Sequence, residues 1–212
     1  MRPSPSLTFG SIAVRPPLVF PGQRIGLLGG SFNPAHDGHR QISLFALKRL
    51  GLSQVWWIVS PGNPLKSRAE LGAFETRIEE AVLVAHDPRI KVTGFEARLP
   101  SSYTFATLAF LRQRYPGVYF VWIMGADNLA TFHRWRNWRD IAQTMPIAVI
   151  DRPGWRLRAM ASKTALGYRN GFIDDTRAHL LPARAAPAWT VLTVPLSPLS
   201  STTIRRARRQ NH

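Results

Sequence analysis

Apolar and polar positions alternate along this chain in blocks rather than residue by residue. From Arg24 the run IGLLGG is short and apolar and ends in glycines, and HRQISLFALKRLGL then carries apolar residues at helical spacing. QVWWIVSPG follows as a second buried strand, GNPLKSRAELG as a loop, and AFETRIEEAVLVAHD as a second helix. RIKVTGFEA reads as a strand, TFATLAFLRQRY as a helix, VYFVWIMG as a fully apolar strand, NWRDIAQTM as a helix and PIAVIDRPG as a strand. The last strand is WTVLTVPL, and the Ser200–Ser201–Thr202 cluster predicts the capped start of a final short helix. Continuous apolar runs alternating with helices imply a parallel sheet covered on both faces.

Residues 1–23 hold Pro3, Pro5, Pro16, Pro17 and Pro21 with little periodicity, so they read as an extension set apart from the core. The expected division is this proline-rich stretch and one domain over residues 24–212. With 212 residues, 45% of them apolar, the chain has material for one packed core. It contains no cysteine, which removes disulfides, thiolate nucleophiles and Cys-ligated metals from consideration. No stretch reaches the ~20 apolar residues of a membrane span, and MRPSPSLTFG lacks the apolar core of a secretory signal. A cytoplasmic protein with no membrane association is the expectation.

Lys and Arg number 28 against 12 Asp and Glu, a formal charge of +16. Such a balance attracts nucleic acid, anionic membranes or phosphorylated small molecules without choosing among them. No RNA-recognition signature of the RRM type accompanies it.

Ligands of parallel α/β sheets bind beyond the carboxyl ends of the strands. There the sequence places Gly29-Gly30-Ser31-Phe32-Asn33-Pro34-Ala35-His36-Asp37-Gly38-His39. Two glycines let backbone approach a ligand, and a helix beginning nearby aims free N–H groups at an anion. His36 and His39 share one face if the segment is helical, with Gly38 leaving room between them, and imidazole N–H groups can donate to phosphoryl oxygens. Near the C-terminus, Leu199-Ser200-Ser201-Thr202-Thr203-Ile204-Arg205 offers hydroxyls and a guanidinium fork to the same kind of ligand.

The first block resembles the (S/T)-x-F-x-P-x-H-x-G-H signature of the nucleotidylyltransferase superfamily, and the second resembles its ISSTxIR motif. Three more segments are similar to those of the bacterial nicotinate-nucleotide adenylyltransferases. They are Pro61-Gly62-Asn63-Pro64-Leu65-Lys66, Ser102-Tyr103-Thr104-Phe105-Ala106-Thr107-Leu108, and Gly125-Ala126-Asp127 followed by Phe132-His133-Arg134-Trp135. The resemblance runs from Arg24 to the end. Asn33 stands where aspartate is frequent, and Arg40 where an apolar residue is usual.

The resemblance implies a Rossmann-like, doubly wound α/β domain. It also implies transfer of AMP from ATP to nicotinate mononucleotide, giving deamido-NAD and pyrophosphate in NAD biosynthesis. It assigns catalysis to His36, His39 and Arg205, and ATP to Gly29, Gly30, Ser31, Phe32, Gly38, Gly125, Asp127, Ser200, Ser201 and Thr202. Asn63, Lys66, Tyr103, Thr104 and Trp135 fall to the mononucleotide, with backbone N–H groups after Tyr103 meeting the nicotinate carboxylate and the Trp135 indole stacking on the pyridine ring. Mg²⁺ is expected on the ATP phosphates, with no protein cage. Pantetheine-phosphate adenylyltransferase activity is the enzymatic alternative, and a non-catalytic basic nucleic-acid-binding module the non-enzymatic one. Nucleic acid is not an expected partner, and homo-oligomer contacts stay open. Trp56, Trp57, Trp122, Trp138, Trp155 and Trp189 are expected to be packing residues. The motifs leave the basic region from Arg152 to Arg184 unexplained.

Overall fold

The computed structural model describes residues 14–62 and 72–193. Six parallel strands form one sheet: β1 (Arg24–Gly30), β2 (Gln54–Val59), β3 (Ile90–Thr93), β4 (Tyr119–Gly125), β5 (Ile147–Ile150) and β6 (Trp189–Leu192). Their order across the sheet is β3-β2-β1-β4-β5-β6. The chain therefore winds outward from β1 to one side, returns to β4 and winds to the other. A crevice opens where the direction reverses, between the carboxyl ends of β1 and β4.

Both faces of the strands are apolar because both are covered. Ile25 and Leu27 of β1, Trp56 and Ile58 of β2, and Phe120, Trp122 and Met124 of β4 belong to one core. Against this face pack α3 (Thr104–Arg114), α4 (Ala126–Thr131), α5 (Trp138–Thr144), α6 (Arg156–Met160) and α7 (Lys163–Gly167), with Leu108, Leu111, Leu129, Ile141, Ala159 and Ala165 buried. The intervening residues Leu28, Val55, Trp57, Val59, Val121 and Ile123 form the second core. It is closed by α1 (Asp37–Leu50), α2 (Phe74–Ala85) and a 3-10 segment over Asp175–Ala183.

The alternation read from the sequence is thus present strand for strand, with two differences. The stretch expected to continue as strand through Phe95 and Glu96 turns into a 3-10 helix, Phe95–Arg98, directly after β3. The polar-apolar segment after Gly125 forms α4, which the sequence pattern did not separate from its neighbours. The basic region carries α6, α7 and short 3-10 turns, and part of its charge is paired: Arg156 with Asp151 at 3.1 Å, and Asp175 with Arg49 at 2.6 Å.

The described part of the N-terminal extension lies against the domain. Val14 is buried, the Thr93 hydroxyl donates to the Arg15 carbonyl at 2.7 Å, and Gly22 N–H donates to Gly117 O at 2.8 Å. No helix among the described residues is long and apolar enough to cross a membrane.

Candidate active site

The loop leaving β1 turns sharply at Phe32, whose φ of 45° lies in the left-handed region. That conformation sends the ring inward, where it stacks on Trp57 at 5.1 Å between centroids and meets the His39 ring at 4.8 Å. Trp57 does more than fill the core. Its indole N–H donates to Ser43 Oγ at 2.8 Å, and that hydroxyl donates to the His39 carbonyl at 2.8 Å, so β2 anchors the first turn of α1. Gly29 acquires a reason internal to the sheet, since a Cβ there would strike the Trp122 ring.

His36 caps α1 with extended backbone, and His39 occupies the first turn. Their rings lie 3.8 Å apart. The His36 backbone N–H donates to His39 Nδ1 at 3.2 Å, so Nδ1 carries no proton and the neutral ring bears its hydrogen on Nε2. Burial, then the neighbouring His36 and Arg152, push the His39 pKa down to about 3. Burial and Arg152 also lower that of His36, against the opposing pull of Asp37. In the free protein the pair is therefore neutral at physiological pH, and donation from His39 runs through Nε2–H. His36 Nδ1 is buried with no hydrogen-bond partner among the described residues.

Asp127 enters from the other side of the crevice, on the first turn of α4 immediately after β4. One carboxylate oxygen accepts from Arg152 Nη1 at 3.2 Å; the other is buried and has no hydrogen-bond partner among the described residues. Gly125 leaves room here, because a Cβ would press on the ends of the Asp127 and Arg152 side chains and displace them. Arg152 leaves the carboxyl end of β5 and acts on both histidines electrostatically, so the ends of β1, β4 and β5 form one polar site, with Asp127 turned into it and Asp37 acting on His36 from the first turn of α1.

The second half of the site is aromatic. Tyr103 precedes α3 and is 38% exposed, and the Arg136 guanidinium lies 4.6 Å over its ring. Trp135, next in the chain to Arg136, is half-buried and packs edge-on against Phe132 at 5.3 Å. Tyr103, Thr104 and Trp135 are thereby brought into one neighbourhood. About one turn along α3 from Thr104, the Thr107 hydroxyl donates to the buried Glu96 at 2.6 Å; burial pushes the Glu96 pKa up to about 7, with the Thr107 bond opposing.

Asn63 and Lys66, and Ser200, Ser201, Thr202 and Arg205, lie outside the described residues. Among those described, the structure gathers Gly29 to Phe32, His36, Gly38 and His39 at β1 with Gly125 and Asp127 at β4, and Tyr103 and Thr104 with Trp135. Sequence reasoning missed Arg152, Arg136, Glu96 and the buried Arg77. Arg152 had a signal in its place just after an apolar strand. Arg77 had one in its position on the apolar stripe of α2, beside Ile78 and in line with Phe74 and Ala81.

A parallel sheet with a histidine pair at its reversal point defines the class. The cytidylyltransferase-like family model matches residues 27–207, placing the chain among the HxGH nucleotidyltransferases. A probable nicotinate-nucleotide adenylyltransferase of Rhizobium johnstonii is 53% identical over 184 residues, covering 87% of this chain and 92% of that protein. One from Agrobacterium fabrum is 54% identical over 181 residues, covering 85% and 97%. The chain belongs to the nicotinate-nucleotide adenylyltransferase family. In fold it is similar to the Plasmodium falciparum nicotinic acid mononucleotide adenylyltransferase complexed with NaAD, with a TM-score of 0.67 at 15% identity, covering 87% of this chain and 83% of that one.

Proposed function

We infer that this protein transfers AMP from ATP to nicotinate mononucleotide, releasing pyrophosphate and forming deamido-NAD for NAD biosynthesis. The observation that carries the catalytic reading is the neutral His36–His39 pair at the start of α1, facing Asp127 and Arg152 across the crevice. A phosphate oxygen of the mononucleotide attacks the α-phosphorus of ATP in line. The bond from that phosphorus to the bridging α,β oxygen breaks, and its electron pair leaves with pyrophosphate. The attacking phosphate is already an anion, so no general base is needed.

What the protein supplies is alignment and fixed donors where negative charge gathers. His39 Nε2–H, His36, the first-turn N–H groups of α1 and Arg152 supply those donors, joined by Arg205 and the hydroxyls of Ser200, Ser201 and Thr202. The unsatisfied Asp127 oxygen suits a ribose hydroxyl of the adenosine. Thr104 N–H and its neighbours at the start of α3 meet the nicotinate carboxylate, Trp135 stacks on the pyridine, and Asn63 and Lys66 hold the mononucleotide phosphate.

Among the described residues no group of three or more His, Asp or Glu side chains is arranged to hold a metal ion. Two neutral imidazoles, an arginine and one paired carboxylate fit a triphosphate that brings its own cation. Bound in this way, Mg²⁺ would neutralise part of the triphosphate charge.

Pyrophosphate release from ATP paired in turn with nicotinate mononucleotide, nicotinamide mononucleotide and phosphopantetheine tests the reading. Turnover is expected with the first, at a kcat/KM at least about tenfold above that with the second, and none with the third. Equal kcat/KM for the two pyridines removes the carboxylate role of the α3 terminus, and turnover only with phosphopantetheine overturns the assignment.

A further inference from the structure

Arg77 lies on α2 and is 2% exposed, yet no salt bridge among the described residues includes it. Its guanidinium is spent on backbone carbonyls. Nη1 donates to Ser31 O at 2.6 Å and to Ser60 O at 2.8 Å, Nη2 to Pro61 O at 3.3 Å, and Nε to Gly72 O at 3.0 Å. The Phe74 ring supports the guanidinium from 5.4 Å. These acceptors belong to two connections: Ser31 to the one leading from β1 to the histidines, and Ser60, Pro61 and Gly72 to the two ends of the one joining β2 to α2.

A buried cation with only neutral acceptors is a costly way to fill space; an apolar side chain would do it with less desolvation. What the guanidinium gives in exchange is geometry. It is planar, permanently charged and rigid, so one nitrogen holding Ser31 O and Ser60 O together fixes how far apart the two loops stand. An ammonium at the end of a flexible stem cannot span the same carbonyls in one plane.

We propose that Arg77 is a positioning residue for adenylyl transfer: by tying the β1 loop to the β2 loop it sets the separation of the ATP and mononucleotide halves of the site. The proposal rests on the substrate reading above, in which Ser31 serves ATP and the segment following Pro61 serves the mononucleotide. Arg77 touches neither substrate. Its loss is felt in the alignment of attacking oxygen and phosphorus, where an error on the order of 1 Å costs about 100-fold in rate.

The test is Arg77→Lys, with each substrate titrated singly by calorimetry and turnover followed by pyrophosphate release. Expected are one site per chain and dissociation constants within about threefold of wild type for both substrates, with kcat lowered about 100-fold. A merely structural role gives a different pattern, in which binding stoichiometry falls in proportion to kcat. That pattern, or a folded R77K with kcat within about threefold of wild type, overturns the proposal. Phe74→Leu removes the ring under the guanidinium from a half-buried position and leaves the hydrogen bonds in place. It is expected to lower kcat about fivefold with single-substrate binding unchanged. Should R77K not fold, a wild-type kcat in F74L overturns the proposal. Failure of the substrate reading is distinguishable, since it appears in the wild-type protein as absence of pyrophosphate release.

Discussion

The two halves of the site are built on opposite physical plans. Around His36 and His39 polar atoms are left in want of partners: His36 Nδ1 and one Asp127 oxygen are buried without a hydrogen bond among the described residues. Both imidazoles are held neutral by burial and by Arg152. Around Tyr103 and Trp135 most groups are already engaged, through the Arg136 stack, the edge-on Phe132 contact and the Glu96–Thr107 bond, and His133 Nδ1 alone in that turn is buried without a hydrogen-bond partner among the described residues. The first half stores unmet electrostatic demand, which on the proposed reading a triphosphate and a ribose would meet. The second offers a preset aromatic shape and a helix terminus. Catalytic loss should therefore concentrate in one half and substrate discrimination in the other.

The largest effect expected is that of His39→Ala. Removing the Nε2 donor should lower kcat/KM about 1000-fold, on the scale of losing one preorganised donor, while the variant still unfolds cooperatively. Wild-type pyrophosphate release from H39A would erase the contrast between the halves. Trp135→Ala, on the aromatic side, should instead raise KM for nicotinate mononucleotide about tenfold and leave KM for ATP unchanged, since stacking contributes on the order of 1 kcal/mol. A fall in kcat with both KM values intact would mean the indole serves the reaction centre.

A subtler difference lies in how each half responds to acid. Glu96 has its pKa raised from 4.5 to about 7, so the folded state holds a proton that the unfolded state has lost between those values, and stability falls as pH rises through that window. His39, lowered from 6.5 to about 3, stays neutral where the unfolded chain is protonated, so its contribution is present above pH 6.5 and is lost as pH falls. Between pH 4.5 and 6.5 the two slopes oppose each other. Glu96→Gln removes one of them. Relative to wild type, E96Q should lose about 2 kcal/mol more on going from pH 6.5 to 4.5, measured by urea unfolding. Parallel stability curves would show that Glu96 does not titrate in this range.

Much of this arrangement was legible before any coordinates. Continuous apolar strands announced a parallel sheet, and the Gly29–His39 block fixed its most important loop, because turn chemistry and strand ends are local properties. Groups whose role depends on the far side of the fold were not legible. Arg77 acts on loops brought to it by β1 and β2, Arg152 acquires its meaning only when β5 lies beside β4, and Glu96 is buried only because α3 closes over the 3-10 turn after β3. Gly29 shows the same limit in reverse. Its motif context pointed to a ligand, while its lack of a side chain is demanded by Trp122 two strand positions before Met124's exit toward Gly125.

A crystal structure with deamido-NAD bound measures the central claim most directly. Expected are the adenosine phosphate within hydrogen-bond distance of His36 and His39, a ribose hydroxyl on Asp127, and the pyridine on Trp135 with its carboxylate at the start of α3. A product lying outside the β1–β4 crevice, or with its pyridine against the histidines, would contradict it.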